Sequence, residues 1–136
     1  MARQIKIGEI GDYAEGQLNK LITAAVLTAD SRLKLQSPFD TGRFRASWAI
    51  GQNAAPFEGQ PEGQYPSNPP PNAVNYSLGD ERVGNVYSIH NNLIYAEPLA
   101  IKGSRKSGVP GGWVDSIAKD VQTYVNAEAD RIGRQS

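Results

Sequence analysis

Apolar residues recur at threes and fours in two separated runs, and this double helical period constrains the fold more than any other feature of the chain. In the first run, Tyr13, Leu18, Leu21, Ile22, Ala25, Ala29 and Leu33 form one stripe. The stripe predicts a helix from about Asp12 to Gln36. Asp12 and Glu15 have capping-box spacing at its start, and Pro38 ends it because the residue before a proline is pushed out of the helical region. Such a helix spans about 37 Å, a structural spine for a small domain. In the second run, Val114, Ile117, Ala118, Val121, Tyr124, Val125 and Ile132 predict a helix from about Trp113 to Ile132. Gly111-Gly112 leads into it, and Asp115 sits in the first turn, where the helix dipole favours an acid.

Between the runs the period shifts towards two. Trp48 and Ile50 alternate with Ser47, Ala49 and Gly51, while Tyr87 and Ile89 alternate with Val86, Ser88 and His90. Both stretches read as strands. Tyr76 to Leu78 fits either a short strand or a helical turn. The fold class is therefore α+β: a small, mostly antiparallel sheet packed against a long N-terminal helix and a C-terminal helix. Residues 1–136 fit a single domain, which buries roughly two-thirds of the surface its unfolded chain exposes.

From Ala54 to Asn72 no apolar period is present, and six of the nine prolines fall there. Pro69-Pro70-Pro71 favours a polyproline turn. The stretch reads as a loop or arm at about 54–72, either functional or disordered. It is expected to add little to the chain's own core and to be ordered mainly by neighbouring subunits or a partner.

Composition removes several kinds of chemistry. The chain has no cysteine, so disulfides and thiolate sites are excluded, and the single His90 excludes a multi-histidine metal site within one chain. No metal or cofactor is expected. Fourteen basic residues balance fourteen acidic ones, which argues against a general electrostatic grip on nucleic acid or anionic lipid. The charge is uneven, however. Lys102, Arg105 and Lys106 against Glu97 give Val83–Gly111 a net of +2, and Glu58, Glu62, Asp80 and Glu81 against Arg82 give Ala55–Arg82 a net of −3. Such segments attract one another within a monomer or across a subunit boundary, or are two unrelated solvated loops. No apolar run opens the chain, and no stretch approaches the roughly 20 apolar residues that cross a bilayer. The expectation is a soluble protein made in a cytoplasm, without membrane contact.

No catalytic constellation stands out. Asp40-Thr41-Gly42 has the letters of an aspartic-protease triplet, but the charged Arg43-Phe44-Arg45 replaces the apolar flank that such a site needs. Asp40 or Thr41 is better read as the cap of a short turn or helix. Gly42 is expected to adopt a backbone closed to other residues, or to let two backbones approach closely. His90 beside Asn91-Asn92 lacks a nucleophile elbow. Gly103 to Gly108 is not a phosphate-binding Walker loop, and reads as a phosphate contact or a solvated hairpin tip. Trp48 and Trp113 are core or rim residues, or anchors at a subunit contact.

Three segments, taken together, carry a resemblance. They are Ser37 to Trp48, with Asp40-Thr41-Gly42-Arg43-Phe44-Arg45-Ala46-Ser47-Trp48; then Asn91-Asn92 with Tyr95, Ala96 and Leu99; then Gly103-Ser104 and Pro110-Gly111-Gly112-Trp113-Val114. Their order and spacing resemble the neck and tail-completion proteins of tailed bacteriophages, the group that includes lambda-type minor tail protein Z. Ala100 stands where that family usually has a carboxylate.

The resemblance implies a non-enzymatic, structural virion protein. It would act in tail completion or head–tail joining at the neck, assembled in the host cytoplasm. It would form or complete a homo-oligomeric ring through which DNA passes, in contact with other neck and tail proteins. In that setting the charge pattern places Lys102, Arg105 and Lys106 against Glu58 and Glu62 of a neighbour or in non-specific contact with passing DNA, with Trp113 a candidate anchor. The alternatives are a tail terminator protein, or a non-viral small adaptor or enzyme of unknown chemistry.

Overall fold

The computed structural model describes residues 7–39, 41–53, 57–93, 96–104 and 108–135, with backbone alone at 7–14, 97, 100 and 135. Among these the chain forms helices α1 (Ile7–Gln36), α2 (Arg43–Ala46), α3 (Ala96–Lys102) and α4 (Trp113–Gln135), and strands β1 (Ala49–Gln52) and β2 (Tyr87–His90). The architecture is α+β, two long helices packed on each other and on a small antiparallel sheet. Among the described residues no helix is long and apolar enough to cross a membrane.

α1 ends where the proline signal puts it but starts earlier than Asp12, so that residue lies inside the helix rather than at its cap. A capping box marks where a helix is able to start; nothing in Ile7–Gly11 forbids continuation. At the other end Ser37 closes the last turn, its N–H bonded to the carbonyl of Leu33 at 3.0 Å and its hydroxyl to the same oxygen at 2.5 Å. α3 carries Pro98 in its first turn, where the missing N–H has no intrahelical partner to lose. Its helical period is too short to read from sequence. Tyr76–Leu78 is neither strand nor helix but bends and a turn, with the Tyr76 ring packed at 5.3 Å on Tyr87.

The strands pair as Ala49↔His90, Ile50↔Ile89, Gly51↔Ser88 and Gln52↔Tyr87. β1 does not alternate in burial; Ala49, Ile50 and Gly51 are all buried. The backbone of β1 is also covered on both edges. Opposite β2, the Ile50 N–H donates to Asn72 O at 2.8 Å, and Ile50 O accepts from Val74 N–H at 3.0 Å. The Asn75 side chain continues the ladder one pair further. Its Oδ1 accepts from Gln52 N–H at 2.8 Å, and its Nδ2 donates to Gln52 O at 2.7 Å.

The core lies where both long helices meet α2 and the strands: Leu33, Phe44, Trp48, Leu93, Ala96, Trp113 and Ile117 pack together, all buried. Apolar packing of this kind carries most of the folding energy of a domain this size.

The described part of the proline-rich stretch, 57–72, is fastened to this body, which corrects the expectation that neighbours would order it. Lys34 Nζ donates to Pro70 O, Arg43 Nε to Gln60 O, Arg45 to Ser67 O and Asn92 Nδ2 to Phe57 O. Gln60 N–H donates to Ser47 Oγ, Tyr65 N–H to Thr41 O, and Pro69 is buried. Side chains from the helices hold the stretch by its carbonyls. An apolar-period reading misses such attachment because the loop contributes backbone acceptors rather than apolar side chains.

Candidate functional site

The three signature segments meet at one junction. Trp48 follows α2, and its indole N–H donates to Ser37 Oγ at 2.7 Å. Its ring takes an edge-to-face contact from Phe44 at 5.8 Å and another from Trp113 at 6.3 Å. Asn91, from the second segment, donates to Phe44 O at 2.8 Å and accepts from Leu93 N–H. Trp113, from the third, donates its indole N–H to Leu99 O at 2.8 Å. Both indole nitrogens are therefore satisfied.

Of the two readings of Trp113, core residue and contact anchor, this placement is the first. It is 3% exposed, fully engaged inside the chain and starts α4 in the core. Gly42 stands at φ 86° as the N-cap of α2, and a Cβ there would lie 2.7 Å from Tyr65 O. α2 has no side-chain cap; Thr41 Oγ1 instead accepts from Arg43 N–H at 3.2 Å, and Asp40 lies outside the described residues.

Beside the junction a groove of about 640 Å³ opens between the end of α1 and the lead-in to α4, lined by Leu35, Phe39, Arg45, Val109, Pro110 and Trp113. Leu35 and Phe39 are well exposed. The Arg45 guanidinium lies 4.9 Å from the Phe39 ring centre and donates to Ser37 O at 2.9 Å and Ser67 O at 2.6 Å. Burial lowers its pKa from the ordinary value. Since its donors already cap α1 and hold the loop, Arg45 acts here as a tie between elements.

The basic tip lies next to this groove along the chain. Ser104 and Val109 exchange two backbone hydrogen bonds of 2.8 Å, Lys102 is exposed at the end of α3, and Arg105 and Lys106 lie outside the described residues. Glu58 and Glu62 are exposed. Among the described residues none of Lys102, Glu58 and Glu62 forms an ion pair within the chain.

The buried charges lie elsewhere, along a polar seam that the apolar reading of α1 overlooks. Asn19, Thr23, Asp30 and Lys34 share the face that meets residues 70–83. Asn19 Oδ1 accepts from Val83 N–H, Thr23 Oγ1 donates to Glu81 Oε1 at 2.8 Å, and Lys34 pairs with Asp30 at 2.9 Å. The signal was available as polar residues at helical spacing, with an acid one turn before a base.

Burial pushes the Asp30 carboxyl up from its ordinary value, and Lys34 offsets this only in part. Burial also opposes charge on Glu81, but the neighbouring Tyr76 phenol, the Thr23 hydroxyl and the Gly79 N–H outweigh it and bring its pKa down. Burial first, and then the Glu81 charge, push the Tyr76 phenol up.

A lowered folded pKa means that Glu81 stabilises the fold above its unfolded value, and that this is lost as pH falls through the folded one. Glu81→Gln is therefore expected to destabilise at pH 7, with the deficit shrinking as pH drops below 4.5, the ordinary value. Urea unfolding of both proteins across acidic pH checks this; a deficit that stays constant removes the charge from the account.

Among the described residues no group of three or more His, Cys, Asp or Glu side chains is placed to hold a metal ion. Comparison of the chain with family models, with curated proteins and with solved structures returns no match.

Proposed function

We propose that the chain is a structural component of a tailed-phage particle, acting in tail completion or head–tail joining at the neck as a subunit of a ring through which DNA passes. The observation that most supports this reading is the meeting of the three signature segments in one packed junction, through Trp48, Asn91 and Trp113. Letters that match by chance have no reason to converge. Segments that together build one core do, which favours a resemblance of fold over one of letters alone.

Two further features favour a subunit role. α1 runs for 30 residues, about 45 Å, and gives a rigid spine. The exposed acids Glu58 and Glu62 and the exposed Lys102 leave opposite charges on the surface for a neighbouring copy. In this reading the basic tip of Lys102, Arg105 and Lys106 faces the acidic loop of the next subunit. Near-zero net charge suits a channel in which DNA must slide.

The experiment is a deletion of the gene in its phage. DNA-filled heads and free tails that fail to join, or tails of faulty length, are the expected products. Normal infectious particles, with the protein absent from purified virions of the parent phage, would overturn the assignment.

A further inference from the structure

We propose that the outer edge of β2 pairs with β2 of a second copy, joining two small sheets into one antiparallel four-stranded sheet. The inference goes beyond the functional reading and does not depend on it. A two-fold pair closes on itself, so this contact is distinct from one that propagates around a ring.

The sheet treats its two edges differently. The outer edge of β1 is closed by the backbone of 72–74 and then by the Asn75 amide, which takes the place of a peptide. On β2 the register fixes which groups face outward. Asn53 N–H donates to Val86 O, so Gly51↔Ser88 and Ala49↔His90 are the hydrogen-bonded pairs. The N–H and C=O groups of Tyr87 and Ile89 then point away from β1. Among the described residues they have no hydrogen-bond partner.

Natural edge strands are blunted by charges or proline. Val86 to His90 carries no Lys, Arg, Asp, Glu or Pro, and Val86 is 67% exposed.

What lies along that edge specifies the incoming strand. A trough of about 310 Å³ runs between β2 and α4 over α1, lined by Ala29, Leu33, Tyr87, Ile89, Val121 and Val125, all uncharged. A strand added to β2 must therefore be extended, present its own free edge, and carry uncharged apolar side chains at alternate positions. Among the described residues β2 itself meets all three conditions, with Tyr87 and Ile89 at that spacing. In an antiparallel pair centred on Ser88, Tyr87 of each copy exchanges two bonds with Ile89 of the other. The two Ser88 side chains then stand opposite each other at the close, non-hydrogen-bonded position, where a small residue fits. No like charges meet.

The chain has no cysteine, so single-cysteine variants report contacts cleanly. Ser88→Cys incubated with glutathione disulfide is expected to give a covalent dimer, while Gln64→Cys, an exposed position far along the chain, stays monomeric. The wild-type protein provides a second readout that survives any folding defect of the variant. Its Tyr87 and Ile89 amides are expected to exchange with solvent about tenfold or more slowly at high than at low protein concentration. A chain that sediments as a monomer at every concentration, with those amides exchanging at one rate, overturns the proposal. An oligomer in which the two amides stay unprotected overturns it equally, and leaves the ring reading standing.

Discussion

Replacing Asp30 by alanine is expected to cost about 3–5 kcal/mol of stability at neutral pH, read from urea unfolding. The Asp30 and Lys34 side chains are 2% and 3% exposed, with 2.9 Å between Oδ2 and Nζ. Lys34 also donates to Pro70 O at 2.8 Å. Without the carboxylate, the ammonium keeps one carbonyl in a site closed to water, and an uncompensated buried charge is among the costliest defects a fold can carry. The direction of the Asp30 pKa shows that the pair itself is not a large net gain, since burial works against its charge more than Lys34 favours it. The double variant Asp30→Leu with Lys34→Met should therefore recover most of what the single variant loses. If it stays as unstable as Asp30→Ala, packing rather than charge governs the seam.

Gly103→Ala is expected to cost about 3–4 kcal/mol, from the same measurement. Gly103 sits at φ 71° just past the end of α3, and a Cβ there would run into Val109 O and come within 2.5 Å of Pro110 O. Both obstacles are backbone, fixed by the Ser104–Val109 pair, so no side chain is able to swing aside. Gly112→Ala separates the two contributions. Gly112 has φ 75° but nothing within 4 Å of the added carbon, so only the conformational part, about 1–2 kcal/mol, should appear. Equal losses would mean that the Ser104–Val109 turn shifts to absorb the methyl group.

The long helices and the strands were legible because period and punctuation agreed with tertiary structure. α1 stops at Gln36 before Pro38, and α4 starts at Trp113 after two glycines. What escaped the sequence depends on partners distant along the chain. Glu81 reads as a surface acid until Thr23, 58 residues away, is seen to donate to it. Asn75 reads as a loop residue until its amide is found extending the β1 ladder. The 57–72 stretch has the composition of a free arm, yet Arg43, Arg45 and Lys34 hold it by its carbonyls. Trp113 was open between the core and a subunit contact and lies in the core, because letters do not distinguish a tryptophan that packs inward from one that meets a neighbour.

The junction also sets an order of events during synthesis. Trp48 lacks one of its two aromatic neighbours until Trp113 has been made, and α1 lacks its main helical partner until 113–135 follow. A nascent chain that has reached residue 110 holds the spine, α2 and both strands, but exposes the surface that α4 covers. Closure therefore waits on a contact between segments far apart in the chain, the kind that slows folding and leaves sticky intermediates. Chains stalled before α4 are expected to need a chaperone, and completed ones to be released from it as that helix docks.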